Sequence, residues 1–282
     1  MADPATPTIR RIAAAPDWHA ADIVCHAGPE TRIYEEQHGW TTIAFVRRGT
    51  FTYRGAQGRA LLVPGGLLLG NAGQCFACGH EHGRGDQCLS VQLAPSLMEQ
   101  AAASAGIKGS AFTNAAIPPL QDLLPLFAAL RALGNAAAEQ ADAMIFTLAI
   151  AALSQDRGAA SPRVSIRDEA RVAQAVRMIQ QHYTQPLTVT RLAAELGMQR
   201  RHFARVFRQV NGVTPYSYIL GRRLDAAADA LCRGGAPVLD IALQAGFGDL
   251  SEFTRRFRAR YGMPPGRYRL SPGQDRVKPA AP

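Results

Sequence analysis

The sequence predicts an α+β chain in two parts, a strand-rich N-terminal half forming a β-sandwich or barrel and an all-helical C-terminal half. Three observations predict this. Residues from about 30 to 95 break into short apolar runs separated by turn residues. Beyond residue 163, a helical pattern punctuated by glycine and proline occurs twice, at an offset of 49 to 50 residues. The charge divides along the same line: residues 1–162 hold 11 Lys+Arg against 13 Asp+Glu, whereas 163–282 hold 20 against 9. A near-neutral part joined to a part of net charge +11 points to a module for nucleic acid or an anionic surface attached to something else.

At 282 residues the chain has room for about two domains. With 47 % hydrophobic and 19 % charged residues it is not globally disordered. No run approaches the roughly 18 apolar residues that span a bilayer, so no membrane role is expected. The first residues contain Pro4 and Pro7 but no apolar h-region, so no secretion signal is read. Five scattered cysteines, an odd number, favour a reducing cytoplasm over a disulfide framework.

In chain order, Thr42 to Val46, Phe51 to Tyr53, Leu61 to Val63 and Leu67 to Leu69 read as strands, separated by Gly49, Gly55, Pro64-Gly65-Gly66 and Gly70. From about 95 the period changes. Leu120, Leu123, Leu124, Phe127 and Leu130 repeat at helical spacing, as do Met144, Ile145, Leu148 and Ala152. The expected boundaries are 1–158 for the first domain, 159–168 for a linker, 169–270 for the helical domain and 271–282 for a flexible tail.

The duplicated segment is the most informative feature. Leu192 to Gly197 map onto Ile241 to Gly246 at an offset of 49, and Phe203, Arg205, Phe207, Arg208, Gly212, Pro215 and Tyr218 map onto Phe253, Arg255, Phe257, Arg258, Gly262, Pro265 and Tyr268 at an offset of 50. The extra residue falls just after the glycine, in the turn, where insertion costs least. Each copy is a helix, a glycine turn and a second helix. Thr188 caps the first helix of copy one and Pro237 starts that of copy two. Gly197 and Gly246 stand where the chain needs positive φ before a sharp turn. This is the grammar of a helix-turn-helix, whose second helix enters the major groove of double-stranded DNA.

Period 3.6 sorts each second helix. Phe203, Val206 and Phe207, like Phe253 and Phe257, should face inward. The DNA-facing candidates are Arg200, Arg201, Ala204, Arg205 and Arg208 in copy one, and Leu250, Ser251, Glu252, Arg255 and Arg258 in copy two. Arg205 and Arg255 are equivalent, one turn in, where a guanidinium can fork onto guanine. Arg208 and Arg258 lie nearer the rim and suit phosphate. His202 reads as a packing or backbone-contact residue. Thr214-Pro215 starts a connector helix of about 16 residues, roughly 24 Å long, which can hold the two second helices near the roughly 34 Å repeat of the groove.

From about Val172 to Arg269 the chain resembles the DNA-binding module of the AraC/XylS family of bacterial transcription regulators. The resemblance rests on Ile241-Ala242, Gly246-Phe247, Asp249, Ser251, Phe253, Arg255, Phe257, Arg258, Gly262, Pro265 and Tyr268. It implies base contacts at residues 201, 204, 205, 251, 252 and 255, and departs from the family pattern at Leu250 and Glu252. The N-terminal half resembles the family's cupin-like sensory domain through His38, 11 residues before Gly49, and Val63-Pro64-Gly65. That resemblance implies a cupin-like β-barrel with an effector pocket near His38, dimerisation helices at about 120–155, a homodimer, RNA polymerase as a partner, an activator's or a repressor's role and no catalysis.

One cluster stands outside this pattern. Cys75, Cys78, His80, His82 and Cys88 fall within 14 residues. Thiolate and imidazole at these spacings suit a bound metal ion, zinc or another thiophilic ion such as Cu(I). A thiol switch is an alternative, as is a strand and loop whose cysteines pack as small hydrophobes. Cys25 and Cys232 are isolated and expected to be buried. Two contrasting readings follow from the cluster. One is a cupin-type metalloenzyme using His38, His80 and His82. The other is an alkylation-response protein that accepts a methyl group on cysteine ahead of the same DNA-binding module.

Overall fold

The structure, a computed structural model, describes residues 6–81, 83–119, 130, 133–158 and 164–270. His82, the residues 120–129 that carry Leu120 to Phe127, and the tail 271–282 lie outside the described residues. The described residues divide into two compact units, one of residues up to 119 with 133–173 and one of Leu130 with residues 174–270.

The first unit is built from ten strands: β1 (Thr8–Ala15), β2 (Trp18–Cys25), β3 (Glu35–Gln37), β4 (Thr41–Gly49), β5 (Phe51–Gly55), β6 (Gly58–Leu62), β7 (Leu67–Gly70), β8 (Cys75–Gly79), β9 (Asp86–Leu93) and β10 (Ala116–Ile117). They form two antiparallel sheets, one of six strands in the order β1-β2-β9-β4-β7-β10 and one of four in the order β3-β8-β5-β6. The expected barrel is thus a two-sheet sandwich among the described residues. Ala44, Val46, Leu68 and Cys88 from the larger sheet pack with Phe51, Tyr53 and Leu62 from the smaller one. The apolar runs predicted as strands are strands. β1 and β2 escaped notice because β1 is largely exposed and both are rich in alanine, which gives no clear alternation.

Among the described residues this unit also contains the helices α1 (Pro95–Ser104) and α2 (Ala138–Gly158). On α2, Ile145, Leu148 and Ala152 are buried, as the helical spacing predicted, together with Ala149 and Leu153, while Met144 is half-buried. Asp156, also buried, accepts from the Thr113 and Asn114 backbone N–H groups at 2.8 and 2.9 Å and from both side chains. Trp18 Nε1 donates to Asp142 at 2.7 Å, tying β2 to α2.

The second unit is helical: α3 (Ile166–His182), α4 (Val189–Glu195), α5 (Arg200–Asn211), α6 (Pro215–Arg233), α7 (Val238–Gln244), α8 (Leu250–Tyr261) and α9 (Pro265–Leu270). α3 starts within the expected linker, and the division between units falls inside it. The connector α6 has 19 residues, three more than the spacing suggested, and spans about 28 Å. Its start is as read: Pro215 opens the helix and Thr214 Oγ1 accepts from the Ser217 N–H at 3.2 Å. Under the helices lies a core of Leu224, Ala228, Leu231, Ile241, Phe253, Phe257 and Tyr268.

Candidate nucleic-acid interface and sensory cluster

In both copies the glycine turn and the aromatic core fix where the arginines point. Gly197 and Gly246 follow α4 and α7 with φ of 60° and 87°. Thr188 caps α4 by accepting from the Arg191 N–H at 3.1 Å. Pro237 occupies the N-cap of α7 itself. Asp249 caps α8, accepting from Ser251 N–H at 2.6 Å and Glu252 N–H at 3.3 Å. α5 has no such side-chain cap, because Gln199 stands in that place.

The sequence repeat becomes a repeated contact. Phe207 meets Tyr218 edge-on, centroids 5.6 Å apart at 71°, and their equivalents Phe257 and Tyr268 meet at 5.2 Å and 81°. Phe203, Phe207, Phe253 and Phe257 are fully buried. Burying each stabilises the unit by about 1.5–3 kcal/mol and locks the rotation of its helix. With these faces inward, Arg200, Arg201, Arg205, Arg208, Leu250, Ser251, Glu252, Arg255 and Arg258 are exposed and Ala204 is half-buried beside them.

The two copies differ in how they hold the equivalent arginines. The Arg205 guanidinium is braced along its own helix, by Gln209 Oε1 at 3.1 Å and His202 Nδ1 at 3.0 Å. His202 therefore holds the exposed Arg205 in place, a contact the sequence did not disclose. Arg255 instead lines an open groove together with Leu250, Ser251, Thr254 and Arg258. Nearby, the Glu252 carboxylate lies 3.5 Å from Arg256 Nε, which offsets the negative charge it brings to this face.

In the first unit, His38 is buried. Its Nε2 lies 2.9 Å from the Tyr53 hydroxyl, and its ring stacks on Phe76 with centroids 4.0 Å apart. Burial pushes its pKa down to about 4, so it is a neutral donor or acceptor near pH 7. A Cβ on Gly70 would run into this ring.

The Cys/His cluster is rearranged by the strand period. Cys75 and Cys78 lie three apart on β8, so they face opposite sides of the sheet, Cys75 exposed and Cys78 half-buried. His80 is buried just past β8, its Nε2 2.7 Å from Asp86 Oδ2. Burial alone would lower the His80 pKa, but hydrogen bonds and charge from Asp86 and Cys25 raise it to about 9. Cys88 on β9 is buried and donates from Sγ to Asp86 Oδ1 at 3.4 Å. Among the described residues, the group of donors that does converge is Cys25, His80 and Asp86, whose ligand atoms lie within 4.8 Å of one another. Cys25 is half-buried, not the isolated core residue expected, and Cys232 is exposed. Sequence proximity missed Cys25 because it is brought in by pairing of β2 with β9, where it sits opposite Asp86.

Two family models match the chain. A helix-turn-helix domain covers residues 192–271, and an AraC-like ligand binding domain covers residues 21–151. The chain belongs to the AraC family. The AraC-family relatives include the right origin-binding protein of Escherichia coli K12, 41 % identical over 91 residues, which are 32 % of this chain and 32 % of that protein. VirF, the virulence regulon transcriptional activator of Yersinia enterocolitica, is 34 % identical over 95 residues, 34 % of this chain and 35 % of VirF. The matched stretch thus spans about a third of the length of these curated relatives. Among solved structures, ToxT from Vibrio cholerae aligns over 90 % of this chain and 98 % of ToxT at 11 % identity, with a TM-score of 0.37.

Proposed function

We propose that this AraC-family chain is a sequence-specific regulator that reads two successive major-groove segments of double-stranded DNA, with α5 and α8 as its reading helices. The observation that carries this is the pairing of Arg205 and Arg255. They occupy equivalent, exposed places on two helices whose opposite faces are pinned by equivalent buried phenylalanines. Arg200, Arg201 and Ala204 flank the first and Leu250, Ser251 and Glu252 the second, while Arg208 and Arg258 take phosphate. The segment 169–270 is the DNA-binding domain, and 1–158 receives the signal and carries a homodimer contact through the segment at about 120–155, whose described helix is α2. RNA polymerase is the downstream partner. A DNA-binding regulator of this kind works in the cytoplasm, and no helix among the described residues is long and apolar enough to cross a membrane.

The buried sandwich interior beside His38 favours reception of a signal over catalysis. The imidazole there is already engaged by Tyr53 and Phe76, and it does not join the converging donors at His80. The test is selection of bound sites from random DNA, followed by binding of Arg205→Ala and Arg255→Ala. Each should lose about 1–3 kcal/mol on the selected site and relax the preference at one base position. Equal losses on selected and random DNA would reassign both arginines to phosphate contacts.

A further inference from the structure

The converging donors Cys25, His80 and Asp86 come from three places in the chain that only the fold unites. Cys25 ends β2 and Asp86 begins β9, directly opposite each other in the six-stranded sheet. His80 arrives from the other sheet, just beyond β8. Asp86 is brought close by a tight approach of β4, since a Cβ on Gly49 would collide with the Gly85 carbonyl and the Asp86 backbone. The result is one thiol, one imidazole and one carboxylate within 4.8 Å at the end of the sandwich, His80 buried and the Asp86 side chain only 8 % exposed.

We propose that Cys25, His80 and Asp86 form a binding site for a borderline divalent cation of the Zn(II) class, linking the two sheets of the sensory unit. A tetrahedral ion with Zn–S of about 2.3 Å and Zn–N and Zn–O of about 2.0–2.2 Å needs ligand atoms about 3.3–3.6 Å apart. His80 Nε2 and Asp86 Oδ2, now 2.7 Å apart, must open by about 0.7 Å to admit it. The remaining separations need close by no more than about 1.3 Å, within reach of side-chain rotation. Charge also balances. A divalent cation with the Cys25 thiolate, the Asp86 carboxylate and neutral His80 is uncharged overall, which is what a largely buried site tolerates. On binding, the Cys25 thiol proton and the proton shared between His80 and Asp86 leave to solvent, and three coordinate bonds replace them.

The donor set selects the ion class: one thiolate with nitrogen and oxygen ligands suits a borderline ion rather than Mg(II) or Ca(II). Cys88 orients the site, since its thiol donates to the Asp86 oxygen that His80 does not use. Three protein ligands leave a fourth position for water or an exchangeable group.

The proposal rests on the reading of the N-terminal unit as the sensory one, and the experiment separates the two. Full-length protein, purified reduced and chelator-treated, is titrated with Co(II) as the optical probe and then with Zn(II). One equivalent of Co(II) should give a sulfur-to-cobalt charge-transfer band that Zn(II) bleaches. Cys25→Ser should abolish the band, Asp86→Asn should weaken binding at least tenfold, and Cys88→Ser should keep the band with a loss of about 10- to 100-fold. Cys75→Ser should change nothing, and far-UV circular dichroism checks that each variant is folded. Absence of the band in the wild type, or its survival in folded Cys25→Ser, would overturn the site. A band with the expected variant pattern but no effect of Zn(II) on DNA affinity or on a promoter reporter would leave the site standing and remove its signalling role.

Discussion

Gly197 and Gly246 occupy the same place in the two copies, yet replacing each with alanine should have unequal consequences. Both have positive φ, so any L residue costs about 1–2 kcal/mol at either position. At Gly197 a new Cβ would meet nothing within 4 Å, and the cost should stop there. At Gly246 the Cβ would lie 2.7 Å from the Thr184 carbonyl oxygen and 3.1 Å from Arg223 Nε. Neither neighbour is free to retreat. Arg223 Nε donates to the Tyr183 carbonyl at 2.6 Å and its Nη2 to the Gln185 carbonyl at 2.8 Å. Loosening one such charge-assisted bond adds about 1.5–3 kcal/mol, so Gly246→Ala should cost roughly 2.5–5 kcal/mol in all. That is a large share of the roughly 5–15 kcal/mol that stabilises a typical domain. Urea unfolding can assign the loss to the helical unit, because both tryptophans, Trp18 and Trp40, lie in the other one. Far-UV circular dichroism should show an early helical transition, small for Gly197→Ala and large for Gly246→Ala, while tryptophan fluorescence keeps its midpoint. Equal losses at the two glycines, or a larger one at Gly197, would refute the packing argument.

The remaining predictions concern charge. Affinity for DNA should fall as salt rises, with a log–log slope of about −0.9 for each phosphate neutralised, and Arg208→Ala or Arg258→Ala should each reduce that slope by about 1. A slope unchanged in both variants would remove them from the phosphate contacts. His38 supplies a pH dependence: burial holds its folded pKa near 4 against an ordinary 6.5. The unfolded chain therefore takes up a proton that the folded one refuses. His38 makes the first unit lose stability as pH falls from about 6.5 to 4, with no further loss from this group below that. Unfolding of wild type and His38→Gln followed by tryptophan fluorescence should converge as pH drops through this window, and parallel curves would count against a neutral buried imidazole.

Several residues of the candidate interface were legible in the sequence because their information is local and periodic. A helix turns every 3.6 residues, so Phe203, Phe207, Phe253 and Phe257 announced the buried face, and Arg205 and Arg255 the exposed one, without any knowledge of what they pack against. Caps and turn glycines are local too, which is why Thr188, Thr214, Gly197 and Gly246 could be placed from their neighbours alone. A repeat whose offset shifts by only one residue, in the turn, then implied one structure twice, and the matched contacts of Phe207 with Tyr218 and Phe257 with Tyr268 follow from it.

The sensory unit resisted the same treatment, and the reason is the reach of β pairing. Nearness in sequence drew Cys75 and Cys78 together, but a strand alternates its side chains and sends them to opposite faces. Cys25 looked solitary, yet the register of β2 on β9 sets it opposite Asp86, 61 residues away in the chain. The inequality of Gly197 and Gly246 is of the same kind, for it depends on the carbonyl of Thr184 and the anchored side chain of Arg223. Sequence alone determined the helical repeat, its caps and the arginines it displays, because each is decided by neighbours within a turn or two. Tertiary structure alone decided which donors meet at His80 and which turn is crowded, because those contacts join residues that only strand register and helix packing bring together.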